Sequence, residues 1–281
     1  MPRIAIMQGR LVPPEDGRFQ CFPRDRWRDE FAYAAVAGLD AIEWIYDLYG
    51  ADANPLATAS GIEQMRGLSR DHGIAVVSCC ADYFMDRPFV KATEEEFAGL
   101  TEHLVWLLGQ CNVAGITRVV LPFVDASRIV NAEQEARVVA MLGQVAPEAE
   151  RKGIELHLET AYGPAEFAGV LAKLPQAMVK ANYDSGNSSS LGYDVREELA
   201  AYGTRIGSVH IKDRVRGGGT VPLGTGDADI PALLDGLAEL GYRGDFVLQV
   251  ARGEAGGEIE WATYNRAFLV NALSAACGSV R

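Results

Sequence analysis

Residues 154–159, Ile154-Glu-Leu-His-Leu-Glu159, alternate apolar and polar side chains and end on a carboxylate. That alternation is the period of a β-strand, in which residues two apart share a face, so Glu155, His157 and Glu159 point the same way. The next two strand-like runs end on polar groups as well. Val179-Lys-Ala-Asn-Tyr183 leads into Asp184, and Ile206-Gly-Ser-Val-His210 closes on a histidine that shares its face with Ser208 and Lys212. Glu159, Asp184 and His210 are spaced 25 and 26 positions apart, about one βα unit each. Phe246-Val-Leu-Gln249 ends the following strand 39 positions on, the excess lying in a long loop after His210. Four neighbouring strands thus present Glu159, Asp184, His210 and Gln249 to one point.

The same strand-then-helix rhythm extends over the rest of the chain. Strands are expected at 3–7, 40–45, 74–79, 117–121, 154–159, 178–183, 206–211 and 245–250. Helical stretches are expected at 25–37, 61–71, 94–111, 133–151, 165–174, 196–202, 230–240 and 259–275. Eight strands in strict alternation with eight helices predict an α/β protein, a (β/α)8 barrel forming a single domain over 1–281. A doubly wound sheet is the competing fold, but the first βα connection has no GxGxxG fingerprint. Gly38, Gly73, Gly115, Gly153 and Gly241 each stand shortly before a strand, where a helix ends in the left-handed conformation, and so mark the bottom of the barrel. The long connections 8–24, 46–60, 80–93, 184–195 and 212–229 all follow strands, which puts the elaborate loops at the face where barrels keep their chemistry.

Composition narrows the partners. The 281 residues carry 26 Lys plus Arg against 38 Asp plus Glu, a formal charge of −12 that argues against nucleic acid or an anionic membrane as partner. Cys21, Cys79, Cys80, Cys111 and Cys277 include no CxxC pair and are odd in number, which fits neither a zinc knuckle nor a disulfide framework, so a reducing, cytoplasmic setting is expected. The N-terminus reaches Gly9 and Arg10 after a short apolar run, too short for a signal peptide or a membrane span.

Carboxylate, imidazole and amide oxygen are all ligands for a divalent metal, and an oxygen-rich set with one nitrogen suits Mn²⁺, Mg²⁺, Co²⁺ or Zn²⁺ without choosing among them. His157, inside the same strand as Glu159, is read as a residue that holds Glu159 or another ligand in place. Basic residues gather near the same strand ends: Arg10, Lys212, Arg214, Arg216 and Arg252. A guanidinium suits a phosphate or carboxylate through paired hydrogen bonds. Glu43, ending the second strand, and Asp82, past the third, are candidates for sugar hydroxyl contacts, with Trp44 and Tyr83 beside them. His72 and His103 fall in helical stretches and are read as surface or packing residues.

Six motifs, in order along nearly the whole chain, resemble the xylose-isomerase-like barrel superfamily, which includes sugar phosphate isomerases and epimerases. They are Ile6-Met-Gln-Gly-Arg-Leu11, Leu39-Asp-Ala-Ile-Glu-Trp44, Leu156-His-Leu-Glu159, Asn182-Tyr-Asp-Ser-Gly-Asn187, Val209-His-Ile-Lys-Asp213 and Pro222-Leu-Gly-Thr-Gly-Asp227. The resemblance implies that Glu159, Asp184 and His210 bind a metal, and Asn187 joins the expected substrate contacts. It also implies a second glutamate on the last strand, ligand and acid/base at once, where this chain has Gln249. A carboxamide can ligate but cannot take a proton, so the scheme in which two carboxylates work on opposite faces of one carbon is broken.

The expected activity is therefore a metal-dependent isomerase or epimerase of a small sugar or sugar phosphate. Glu159 is its base, with Lys212 and Arg214 steadying the enediolate or an anionic group. One base suffices for an aldose–ketose interconversion, which tilts the reading toward isomerase; Lys212, Asp82 or Glu43 are the alternatives for the missing acid. A dehydratase or lyase and a non-catalytic sugar-binding barrel are the competing readings, and a DNA-cleaving member is disfavoured by four histidines and the acidic charge. Barrels that the chain resembles are commonly dimers or tetramers, so a homo-oligomer is expected.

Overall fold

The computed structural model describes residues 2–279, with the side chains of residues 277–279 left out, so Cys277 lies outside the described side chains. Eight parallel strands close into a barrel: β1 (Ile4–Met7), β2 (Ala41–Ile45), β3 (Ala75–Cys80), β4 (Arg118–Phe123), β5 (Glu155–Thr160), β6 (Val179–Asp184), β7 (Ile206–Ile211) and β8 (Phe246–Leu248). Their order round the barrel is sequential, with β8 pairing β1. The outer helices include Asp29–Val36, Ala59–His72, Glu94–Ala114, Ala132–Arg151, Pro164–Ala172, Val195–Tyr202, Ile230–Glu239 and Glu258–Ser279. Each expected strand and helix is present, with its ends shifted by a few residues. The first helix starts at Asp29 rather than at 25, because Arg26 and Trp27 form a turn on Pro23 before it.

The alternation within each strand decides which side chains enter the barrel. On β2 Glu43 points inward while Trp44 packs outward against Trp27, ring centroids 5.6 Å apart, and against Phe22 at 5.7 Å. Trp44 also donates its indole N–H to Asn54, so it is a core residue. All five glycines expected at the bottom have positive φ, from 64° to 88°, as helix ends in the left-handed region require. At that end Asp245 accepts from Arg3 and from Arg118, closing the barrel with ion pairs.

Short elements inside the long upper loops were not foreseen, among them helices at Tyr83–Asp86 and Ser185–Leu191 and a hairpin pairing Asp213–Arg214 with Thr220–Val221. Each is too short to show a period in sequence. The described cysteines Cys21, Cys79, Cys80 and Cys111 are buried free thiols. Among the described residues no helix is long and apolar enough to cross a membrane.

The pairing of β6 with β7 slips by one residue between Ala181 and Asn182, skipping Gly207. A methyl group on Gly207 would stand 2.5 Å from two atoms of the His157 ring. That ring cannot yield, because Ser208 and Glu155 hold its two nitrogens. Gly207→Ala is therefore expected to destabilise the protein by about 1–3 kcal/mol through overpacking. A thermal melt would show this as a Tm lower by roughly 2–8 °C; an unchanged Tm would mean that the His157 ring is free to move.

Candidate active site

Glu159, Asp184 and His210 end three successive strands, and the register pairs Asp184 directly with His210. All three are buried, and one ligand atom from each lies within 4.8 Å of the others. Gln249 stands one residue past β8, its N–H continuing the ladder to Ile211 O at 3.0 Å. The four polar strand ends thus share the C-terminal rim.

The imidazole of His210 is fully buried. Its Nε2 lies 2.7 Å from Glu43 Oε1, reached across the barrel interior from β2. Its Nδ1 has no hydrogen-bond partner, yet stands 3.3 Å from Glu159 Oε2 and 4.0 Å from Asp184 Oδ2. Burial opposes charge on the ring, but Glu43 and Glu159 together outweigh it and push the imidazole well above its ordinary pKa. Burial likewise works against the Glu43 carboxylate, and His210 reverses that, holding it below the usual range. A ring nitrogen with no partner, aimed at two carboxylates, is the arrangement that a divalent cation satisfies. Glu159, Asp184, His210 Nδ1 and the Gln249 carbonyl oxygen have the donor chemistry to hold one.

Asn187 ties the neighbourhood together. Its Nδ2 donates to Glu159 Oε1 at 2.6 Å, its Oδ1 accepts from Arg214 Nη1 at 2.9 Å, and its backbone N–H donates to Asp184 Oδ1 at 2.8 Å. Asp184 therefore caps the helix Ser185–Leu191 with one oxygen and faces the site with the other. Lys212 Nζ sits 3.3 Å from Asp184 Oδ2 and 3.2 Å from Gln249 Oε1. The stem of Lys212 lies on Gly186, where an added methyl would meet its Cγ at 2.6 Å.

A second chain of hydrogen bonds fixes how Gln249 is turned. Arg10 can only donate, and its Nη2 lies 3.1 Å from one end of the Gln20 amide, which must be the oxygen. The Gln20 nitrogen then donates to Asp82 Oδ2 at 2.8 Å. The Gln249 nitrogen donates to the same Gln20 oxygen at 3.0 Å, leaving the Gln249 oxygen to face Lys212.

Above these groups lies a cavity of about 250 Å³, lined by Gln20, Asp82, Glu159, Asn187, Lys212, Arg214 and Gln249 among others. This volume is below the usual range of ligand pockets, about 300–1,000 Å³, and suits a molecule of a few carbons. Four residues expected to touch a substrate stand elsewhere. Glu43 is sealed behind His210. Arg10 is buried, donating to Val250 O and Phe19 O as well as to Gln20. Arg252 donates to Phe19 O and Val12 O, and Arg216 is exposed with its guanidinium over Gly192. His157 does not reach Glu159 directly. It touches Ser208 at 2.7 Å, Ser208 donates to Asn182 at 2.6 Å, and Asn182 donates to Glu159 Oε2 at 2.9 Å. Tyr83 stacks on His103, centroids 4.4 Å apart, and plays no part in the cavity lining. Asn182 was missed although it lies two residues before Asp184, on the same face by strand alternation. Gln20 lies in an irregular loop with no periodic signal to mark it.

The sequence matches the family described as xylose isomerase-like TIM barrel over residues 31–269. The chain belongs to that family. No curated protein matches it by sequence. Solved structures with the same fold include an L-ribulose 3-epimerase, 20% identical, TM-score 0.79, covering 100% of this chain and 97% of the other. The IOLI protein with a bound zinc atom is 18% identical, TM-score 0.78, covering 98% of this chain and 99% of the other. A xylose isomerase-like TIM barrel protein from Mycobacterium smegmatis in complex with magnesium is 19% identical, TM-score 0.74, covering 98% and 97%. At these identities the likeness is one of fold.

The loop carrying Arg10 and Gln20 depends on Glu30, a buried carboxyl that accepts from Gly9 N–H at 2.6 Å and Leu11 N–H at 3.4 Å. Burial pushes Glu30 up to about 8 despite those bonds. A carboxyl raised in the folded state contributes stability that is fully present below its ordinary value of 4.5 and is lost as pH rises from there to about 8, above which both states are ionised. Glu30→Gln keeps the acceptor but cannot ionise. Its stability relative to wild type is therefore expected to improve between about pH 5 and 8, by at most about 1.4 kcal/mol per pH unit, and to level off above that. Parallel denaturant titrations at several pH values would check the slope, and a flat difference would contradict it.

Proposed function

We propose that this protein is a divalent-metal-dependent isomerase or epimerase of a small sugar or sugar phosphate, working by proton transfer next to a carbonyl. The observation that carries the reading is the buried Glu159–Asp184–His210 group, with its partnerless nitrogen, beneath a cavity of about 250 Å³. Membership of the xylose isomerase-like family and the zinc- and magnesium-bearing structures of the same fold support it.

Glu159, Asp184 and His210, with the Gln249 oxygen, would hold the metal, and Mn²⁺, Mg²⁺, Co²⁺ and Zn²⁺ all suit the set. When bound, the metal would polarise the substrate carbonyl and so acidify the neighbouring C–H. Glu159 is the base: Asn182 and Asn187 each donate to one of its oxygens, which fixes the carboxylate toward the cavity. Lys212 and Arg214 present N–H donors to the oxygen that gains charge, or to a phosphate on the substrate. The bond pattern around Gln249 favours a second reading, a binding barrel without turnover, because its amide supplies no proton.

Protein purified without chelator is expected to carry close to one metal ion per chain by plasma mass spectrometry, and His210→Ala to lose it. With Mn²⁺ added, L-ribulose, D-xylulose or D-fructose in D₂O should lose a carbon-bound proton. Glu159→Gln should slow that exchange by about 10²–10⁴-fold. Metal without exchange on any ketose or ketose phosphate would favour the binding barrel; undiminished exchange in Glu159→Gln would remove Glu159 as the base.

A further inference from the structure

Resting on the proposed proton-transfer function, we propose that Asp82 returns a proton to the substrate carbon from which Glu159 takes one, the role for which Gln249 lacks the chemistry. Three carboxyl groups line the cavity, Asp82, Asp125 and Glu159. Asp125 is an exposed residue on the rim. Glu43 is sealed against His210, and Lys212 is held between Asp184 and Gln249. Asp82 is the buried acid that remains, 6% exposed, and that exposure is toward the cavity.

Its surroundings accommodate both protonation states. Gln20 Nε2 donates to Oδ2 at 2.8 Å and Cys80 Sγ to Oδ1 at 3.1 Å. Among the described residues no Lys, Arg or His stands within 4 Å of Asp82 to lock it as an anion. Burial, with Asp82 as a neighbour, raises Cys80 well above the ordinary thiol range, so it stays a neutral S–H that can donate to the carboxylate or accept from the acid. Burial lifts Asp82 itself to about 6 against the two hydrogen bonds, with Asp47 and Glu159 adding to the rise. Arg10 is the cation felt from the β1 loop. A proton donor with a pKa near the working pH is the efficient kind.

Asp82 follows β3, two strands from β5 round the barrel, so it meets a substrate in the cavity from a different side than Glu159. Glu159 removes the proton, the C–H electron pair becomes the C=C of an enediolate, and the carbonyl pair moves to oxygen. Asp82 then gives its proton to that carbon: the C=C pair forms the new C–H bond, the carbonyl reforms, and the configuration inverts. Glu159 loses its proton to water and Asp82 regains one before the next turnover, so each product molecule carries solvent hydrogen. This restores a two-group epimerisation despite Gln249.

The test compares wild type, Asp82→Asn, Asp82→Ala and Glu159→Gln with Mn²⁺ and the same three ketoses in D₂O. Deuterium uptake is followed by NMR and epimer formation by chiral chromatography. Asp82→Asn is expected to lose epimer formation by at least about 100-fold while uptake through Glu159 continues. Formate should restore part of it in Asp82→Ala. Glu159→Gln should lose both. Epimer formation undiminished in Asp82→Asn, from an active wild type, overturns the role of Asp82 alone. A wild type that exchanges no ketose proton overturns the function on which the inference rests, and the inference with it.

Discussion

A histidine with no solvent contact, set between Glu43 on one side and Glu159 with Asp184 on the other, is the constraint on which the rest of the site depends. Charge in a protein interior costs several kcal/mol per ion unless it is met by an opposite charge or a metal. Glu43 on β2 and His210 on β7 meet only because the sheet closes on itself and brings non-neighbouring strands face to face across the lumen. With Nε2 held in this way, Nδ1 is aimed at the two carboxylates.

Gln249 reads differently once its partners are known. The amide is one link in a directed chain that begins at Arg10, runs through Gln20, and branches to Asp82 and to Gln249. A guanidinium that can only donate sets the sense of every bond after it. A carboxylate at 249 would leave an oxygen facing the Gln20 oxygen with no proton between them. The carboxamide is thus matched to its surroundings, and its oxygen is delivered to Lys212.

The arginines divide into two kinds. Arg214 reaches the cavity, steadied by Asn187 and the carbonyl of Gly218. Arg10 and Arg252 spend their donors on backbone carbonyls of the loop after β1 and the segment after β8, fastening the rim. Both roles use the same fork of N–H groups, and sequence position does not distinguish a carbonyl from a phosphate as the acceptor.

The sequence by itself determined the barrel and the grouping of Glu159, Asp184 and His210. Strand alternation, strand–helix rhythm and glycines at helix ends are local properties that read out along the chain, and Glu159, Asp184 and His210 fall at strand ends where parallel pairing must gather them. The partners of those residues were decided by tertiary structure. Glu43 behind His210, Gln20 between Asp82 and Gln249, and Ser208 and Asn182 between His157 and Glu159 are contacts across 23 to 229 positions of chain or between loops of no fixed period. A side chain at a strand end has several acceptors or donors within reach, and only the closed barrel with its loops in place selects among them.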